Sequence, residues 1–202
     1  MLGPGVPFSS IGALPPGRPD FCLHLGDLRL PLMEVPLSYV PIITVVVRRA
    51  LAGDALHFVE ALSLQEDFEC FGRLAAMGRA AYMDCETATN RCHTGQRLTD
   101  AAEIDWITTR IAALESGWGG DAEFLSRHGV RYERVLAAQH MRHARWLLRS
   151  GRTAAARRAL RSAGPRPSFL WLLAIMPGVV VRGGVALRRW LKLKLEHPAP
   201  DP

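Results

Sequence analysis

Hydrophobic and polar positions divide the chain into an irregular start, one strand-like run and a long helical remainder. The first part is rich in Pro and Gly and has no clear period. The run "IITVVV", residues 42–47, is continuous and β-branched, which predicts a strand buried on both faces within an α/β sheet. From Asp100 onward the apolar spacing is helical, and two helices are expected to meet at Ser150 and Gly151. These patterns predict an irregular segment (1–37), a mixed segment (38–99), a helical segment (100–164) and a basic amphipathic tail (165–202).

The stretch "SLQEDFECFGRLAAMGRAAYMD", residues 63–84, predicts a helix followed by a strand. Ser63 and Glu66 have the spacing of a capping box at the helix start, and Gly78 suits the helix end. The last residues, "AAYMD", read as the strand. On a helical wheel Glu66, Glu69 and Arg73 lie opposite the apolar stripe, where water is expected to solvate them. The predicted stripe consists of Leu64, Phe68, Phe71 and Ala75.

Asp67 is the unusual position of this predicted helix, because it lies on the buried flank between Phe71 and Leu74. A carboxylate that faces a core costs free energy unless something stabilises it, whereas the first turn of a helix favours an anion. Such an acid facing a cleft suits a general base. The alternative is that Asp67 only helps to cap the helix.

The order of these features resembles the C-terminal half of the catalytic domain of glycosyltransferase family 2, whose members are inverting enzymes with the GT-A fold. In that family a strand that ends in Arg-Arg leads, through a loop that contains Phe, to a helix that opens with Glu-Asp and continues with Arg-Leu-Ala. A strand with an aromatic residue and an Arg-x-His turn then follow. The resemblance covers about residues 38–99. The matching residues are Val47-Arg48-Arg49, Phe58, Glu66-Asp67, Arg73-Leu74-Ala75, Gly78-Arg79, Tyr82 and Arg91-Cys92-His93.

The resemblance implies a partial GT-A-like α/β domain followed by a C-terminal α-helical extension. It also implies inverting transfer of a sugar from a nucleotide-sugar donor to a hydroxyl acceptor, in the synthesis of surface polysaccharide or glycolipid. Asp67 would be the catalytic base and Glu66 would support it. Arg91, His93 and Arg73 would bind substrate, since a cation can stabilise a diphosphate leaving group. For His93 the alternative is an ordinary histidine in a surface turn.

The donor-binding half of that family has no counterpart in the sequence. No D-x-D motif follows an apolar strand in the first 60 residues, and Asp84-Cys85-Glu86 comes after the Glu-Asp helix, which is the wrong order. The loop "GDALHFVEAL", residues 53–62, also departs from the family pattern. A divalent metal, Mg or Mn, is therefore implied by the family alone. Either the sequence is part of a longer enzyme, or a partner chain supplies the donor half.

Charge is distributed unevenly along the chain. The net charge is +6, yet residues 127–194 carry sixteen Lys or Arg and one acid, Glu133. With Trp171 and Trp190 among its leucines, the stretch 165–196 suits an anionic membrane surface. The alternative is a basic helix that packs on the domain and whose charges are solvated by water. Nucleic acid is not expected as a partner, since there are no aromatic-interleaved strands, no helix-turn-helix signature and no zinc motif.

The compartment is predicted from the cysteines and the N-terminus. The four cysteines lack C-x-x-C spacing, so reduced thiols in a cytoplasmic protein are expected, with peripheral attachment to the inner membrane face. The first twenty residues do not show the pattern of a signal peptide. The alternative to an enzyme is a non-catalytic adaptor, or a membrane-surface interaction protein, derived from one.

Overall fold

The computed structural model describes residues 12–13, 21–24, 27–34, 40, 42–78, 80–83, 88–89, 100–164 and 169–184. The chain divides into two compact units, unit 1 (Met1–Val135) and unit 2 (Leu136–Pro202). The boundary between the two units lies within the predicted helical segment (100–164), inside one long helix, Ala122–Arg149.

Unit 1 contains a small sheet and several helices. The strands β1 (Gly12–Ala13), β2 (Phe21–His24) and β3 (Ala81–Met83) are antiparallel in the order β1-β2-β3, and Leu23 lies opposite both Ala13 and Ala81. The helices are α1 (Arg29–Glu34), α2 (Arg49–Ala52), α3 (Glu66–Met77), α4 (Glu103–Gly117) and the first part of α5 (Ala122–Arg149).

The prediction of a GT-A-like α/β fold is wrong. The described residues are predominantly helical, and the strands among them form only the short antiparallel sheet. The run at 42–47, expected to be a buried central strand, begins as a short 3-10 helix (Ile42–Thr44) and continues without regular secondary structure, with Val46 96% exposed. The β-branched residues of this run favour a strand, and this is why the sequence predicted one. Burial on both faces, however, needs neighbouring strands, which the described residues do not supply.

The core of unit 1 is built around Trp118, which directly follows α4. Its side chain is fully buried, stacks on Phe68 of α3 with 4.6 Å between ring centroids, and donates from Nε1 to the Arg29 carbonyl at 3.0 Å. Gly72 of α3 faces the same indole, and a Cβ at this position would lie 2.5 Å from the ring. The absence of a side chain at Gly72 therefore allows the large ring to pack directly on the helix.

An ion-pair network joins α1 to the start of α5. Arg29 forms salt bridges with both Asp27, at 2.8 Å, and Asp121, and its guanidinium lies over the Phe124 ring. Burial raises the pKa of Asp27, but the hydrogen bonds from Arg29 outweigh this, so the pKa is below its usual 3.8.

Acid should therefore destabilise unit 1. A carboxylate with a lowered folded-state pKa contributes stability that is present above the unfolded value and is lost as pH falls through the folded value. Asp27→Asn is expected to lower the melting temperature at neutral pH and to flatten its decline in acid. Thermal denaturation followed by circular dichroism across a pH series measures both, with the exposed Asp54→Asn as control. An Asp27→Asn profile parallel to the wild-type profile would contradict this role.

Unit 2 is a helical unit with its own core. The helices at "VRYERVLAAQHMRHARWLLRSG" and "RTAAARRALRSAG" are confirmed as the end of α5 and as α6 (Thr153–Ser162), with Gly151 at φ +71° between them. Helix α7 (Phe169–Ile175) follows, and residues 178–184 are again helical. The buried core consists of Ala144, Leu147, Leu148, Ala156, Ala159, Leu160, Ala174 and Val181.

Two glycines of unit 2, Gly151 and Gly178, are in close contact. A Cβ at Gly178 would lie 2.2 Å from the Gly151 carbonyl oxygen, so the two backbones are in direct contact. The aliphatic stem of Arg182 crosses the same turn, since its Cγ would lie 2.7 Å from a Cβ at Gly151. Because Gly151 and Gly178 have no side chains, the helix at 178–184 can pack directly against the turn between α5 and α6.

Within the described residues, no helix is both long and apolar enough to cross a bilayer.

Candidate functional site

The acids expected to be catalytic, Glu66 and Asp67, both lie in the first turn of α3 and are half-buried. The helix begins at Glu66, and Gln65 before it adopts a left-handed conformation with φ 65° and gives no side-chain cap. The predicted capping box is therefore wrong, since Ser63 lies outside the helix and is exposed. Asp67 Oδ1 instead accepts a hydrogen bond of 2.7 Å from the Phe68 amide.

Arg110 of α4 is the residue that the sequence reasoning missed at this position. It is 4% exposed, its Cζ lies 3.4 Å from the Phe68 ring centroid, and it donates to Gln65 Oε1 at 3.0 Å. Burial lowers its pKa to about 10, while the negative charge of Asp67 opposes this shift. It is therefore a cation at neutral pH, placed to attract the Asp67 carboxylate. The available signal was its spacing of three from Ile107, which places a charge on the apolar face of α4.

Arg73, expected to bind substrate, has its donors directed at protein acceptors. Nε lies 2.9 Å from Glu69 Oε1, Nη1 donates to the Ala55 carbonyl at 2.6 Å, and Nη2 donates to the His57 carbonyl. These bonds tie α3 to the loop before it. A role in substrate binding stays a prediction, and it would require Arg73 to exchange at least one of these partners.

Glu69, expected to be solvated, is fully buried. Besides Arg73, it accepts a hydrogen bond of 3.0 Å from Ser116 Oγ of α4. The helical wheel assumed one buried face, whereas α1, α4 and the segment before α3 all pack around this helix. The predicted apolar residues Leu64, Phe68 and Phe71 are buried as expected.

The remaining predicted site residues cannot be placed. Arg91 and His93 lie outside the described residues, as do Asp84 and Glu86. An open surface depression lies along α5, beside His128, Arg131 and Arg134, and Asp67 does not line it. In the described parts of the chain, no three His, Cys, Asp or Glu side chains are grouped to hold a metal ion, so no step of chemistry is assigned to Mg or Mn.

A second candidate site is a surface of unit 2, where the exposed apolar stripe lies on α7 and the helical turns after it. Within α7 the exposed residues are three positions apart, which places them along one side of that helix, and Met176, Val179 and Val180 follow it in the chain. Leu170, Leu173 and Ala174 occupy the other side and contact the core of unit 2. The exposed apolar stripe consists of Phe169 (70% exposed), Leu172 (55%), Ile175 (72%), Met176 (38%), Val179 (67%) and Val180 (54%).

The described residues of unit 2 are strongly basic. They include eight arginines and no acidic residue, and seven of the eight are exposed. Arg157 is the half-buried one, and its Nη1 donates to the Ala174 carbonyl of α7 at 2.6 Å. The exposed arginines are Arg142, Arg145, Arg149, Arg152, Arg158, Arg161 and Arg182.

The tryptophans expected at the membrane interface are not part of the stripe as described. Trp171 is half-buried and packs against the core of unit 2, while Trp190 lies outside the described residues together with Arg188, Arg189, Lys192 and Lys194. The membrane role of the stretch 165–196 therefore stays a prediction, and one of its two named tryptophans packs inward.

Comparison with known proteins finds no relative of this chain. No family model matches the chain, and neither the curated proteins nor the solved structures yield a match.

Proposed function

We propose that this protein binds anionic membrane surfaces through unit 2, without spanning the bilayer. The observation that carries the proposal is the exposed apolar stripe in a unit whose described residues carry eight arginines and no acid. Amphipathic helices that lie in the membrane interface combine these two properties.

The energetic argument has an apolar part and an electrostatic part. Moving an exposed Phe, Leu or Ile side chain out of water is favourable by about 1.5–3 kcal/mol when burial is complete. Each cation near an anionic surface adds about 1 kcal/mol. The two terms act together when the stripe enters the acyl boundary and the arginines remain at the headgroups, as their long side chains allow.

The same features argue against nucleic acid as the main partner. Phosphate backbones attract arginines, but they offer nothing to a row of exposed Phe, Leu, Ile and Val side chains. A large exposed apolar patch on a folded unit marks a protein or membrane contact. The described residues of unit 2 include no acidic side chain, and this favours an anionic surface over a protein surface of mixed charge.

Vesicle binding tests the proposal directly. The protein should sediment with phosphatidylcholine vesicles that contain phosphatidylglycerol, with an affinity at least about tenfold higher than for phosphatidylcholine alone, and added salt should weaken binding. The double variant Leu172→Glu/Ile175→Glu should lose most of this binding, since it places two carboxylates within the stripe.

The matched control is Met77→Glu/Val130→Glu. It adds the same charge at two apolar positions of unit 1, which are 54% and 74% exposed. Equal loss of binding in both double variants would show that net charge alone matters and would contradict the role of the stripe. Equal binding to neutral and anionic vesicles would contradict the role of the arginines.

Glycosyl transfer with Asp67 as base stays an untested prediction. The fold that suggested it is absent from the described residues, and Arg73 is engaged with Glu69 and the loop before α3. The membrane proposal does not depend on it, because none of these residues belongs to unit 2.

A further inference from the structure

Two arginines of unit 2 lie at the turn between α5 and α6. The side chain of Arg182 crosses Gly151 of this turn, because its Cγ, Cδ and Nε would lie 2.7 to 2.8 Å from a Cβ at that glycine. Arg152 directly follows Gly151 in the chain, and both arginines are exposed. Since Arg182 belongs to the helix at 178–184, two separate segments bring a cation to the same place. Arg152 and Arg182 are called the turn arginines below.

The positive charge at this turn is not balanced by an acid of the same unit. The described residues of unit 2 include no Asp or Glu. The positive charge also acts on the neighbouring helix. Burial lowers the pKa of His143 of α5, and the charges of His140 and Arg152 lower it further. The turn therefore has a positive potential that favours an anion from outside the chain.

Exposed apolar side chains are found beside the same turn. The backbone of Gly178 contacts the Gly151 carbonyl oxygen, and Val179 and Val180 directly follow Gly178 in the chain. These two valines are 67% and 54% exposed, and they form the C-terminal end of the exposed apolar stripe. An anion-attracting group and an apolar surface are thus neighbours at this end of unit 2.

We propose that the turn arginines bind the phosphate of an anionic lipid headgroup, while Val179 and Val180 enter the acyl boundary beside it. This inference rests on the proposed membrane binding of unit 2 and names the lipid group that is recognised and the residues that recognise it. A guanidinium donates two parallel hydrogen bonds to phosphate oxygens, a geometry that an ammonium group lacks. Because the stem of Arg182 already packs across Gly151, binding orders less of this side chain.

A soluble phosphate compound offers the same anionic group but fits the turn less well. It would contact the arginines and leave both valines exposed to water. A lipid brings its phosphate and its acyl chain together, so it satisfies the charge and covers the apolar side chains at the same time. The exposed valines therefore favour a lipid headgroup as the source of the phosphate.

Vesicle binding by two matched double variants tests the inference. Arg152→Gln/Arg182→Gln removes both charges, and glutamine keeps the Cγ and Cδ positions of the stem that crosses Gly151. Arg158→Gln/Arg161→Gln removes the same charge from two exposed positions further along α6. For phosphatidylcholine vesicles that contain phosphatidylglycerol, the first variant should bind at least about tenfold more weakly than the second, since only the first loses the phosphate contacts.

The outcomes separate this inference from the membrane proposal. A wild type that binds these vesicles, together with equal affinities of the two double variants, would overturn the role of the turn and leave the membrane proposal standing. A wild type that does not bind them would overturn both. Circular dichroism checks that the variants fold. Arg152→Gln alone leaves the Arg182 packing intact, and it should also bind more weakly than Arg158→Gln; equal affinities of these single variants would contradict the inference.

Calorimetry with inorganic phosphate tests the source of the phosphate. The wild type should bind free phosphate with a Kd weaker than about 1 mM, because the apolar contacts are missing. Tighter binding that is lost in Arg152→Gln/Arg182→Gln would assign the turn to a soluble phosphate compound and would overturn the assignment to a lipid headgroup.

Discussion

Trp118→Ala is expected to lower the free energy of unfolding by about 3–5 kcal/mol, the largest effect of any single truncation in unit 1. The indole is fully buried, stacks on Phe68 and rests directly on Gly72, so alanine would leave a large cavity. The Arg29 carbonyl would also lose the hydrogen bond from Nε1. Urea denaturation followed by far-ultraviolet circular dichroism measures the change.

Trp106→Ala is the matched control for this prediction. Trp106 lies on α4 and is only half-buried, so its truncation should cost less, about 1–2 kcal/mol. If the two variants were equally destabilised, the packing of Trp118 against α3 would not be the centre of this core.

Glu69→Ala is expected to cost about 3 kcal/mol. Its carboxylate is fully buried between Arg73 and Ser116, and removing one partner of a buried ion pair leaves the other charge uncompensated. The expected value is at the low end of the usual range, because the Arg73 side chain remains 21% exposed and keeps its bonds to the Ala55 and His57 carbonyls.

A double-mutant cycle makes this second prediction specific. Arg73→Met combined with Glu69→Ala should cost less than the sum of the two single variants, since each removes the same interaction. Glu66→Ala, on the same helix but half-buried, should cost less than about 1 kcal/mol. Additive effects of Glu69 and Arg73 would show that their ion pair contributes no stability.

The helical parts of the fold could be predicted from the sequence where local signals agree. The end of α5 and α6 show a clear helical period, and the Gly151 position between them needs the positive φ that glycine adopts readily. The strand expected within "AAYMD" is present as Ala81–Met83. In these cases the signal lies within a few residues of the element that it specifies.

Features that depend on distant partners could not be read from the sequence. The "IITVVV" run has strong strand propensity, but its burial depends on strands elsewhere in the chain, and Val46 is almost fully exposed. Glu69 appeared solvated because a helical wheel carries no information about the α4 side chains that cover it. The environment of Asp67 depends in the same way on Arg110, which is 43 positions later in the sequence.

The contact between Gly151 and Gly178 has a consequence for how unit 2 can evolve. The two segments meet through peptide atoms, so their separation does not depend on which hydrophobic side chains fill the neighbouring core. Substitutions such as Leu for Met or Ile for Val can accumulate there without displacing the outward-facing residues that follow Pro177. As long as both glycines are kept, core residues of unit 2 can therefore change while the exposed apolar residues after Pro177 keep their positions.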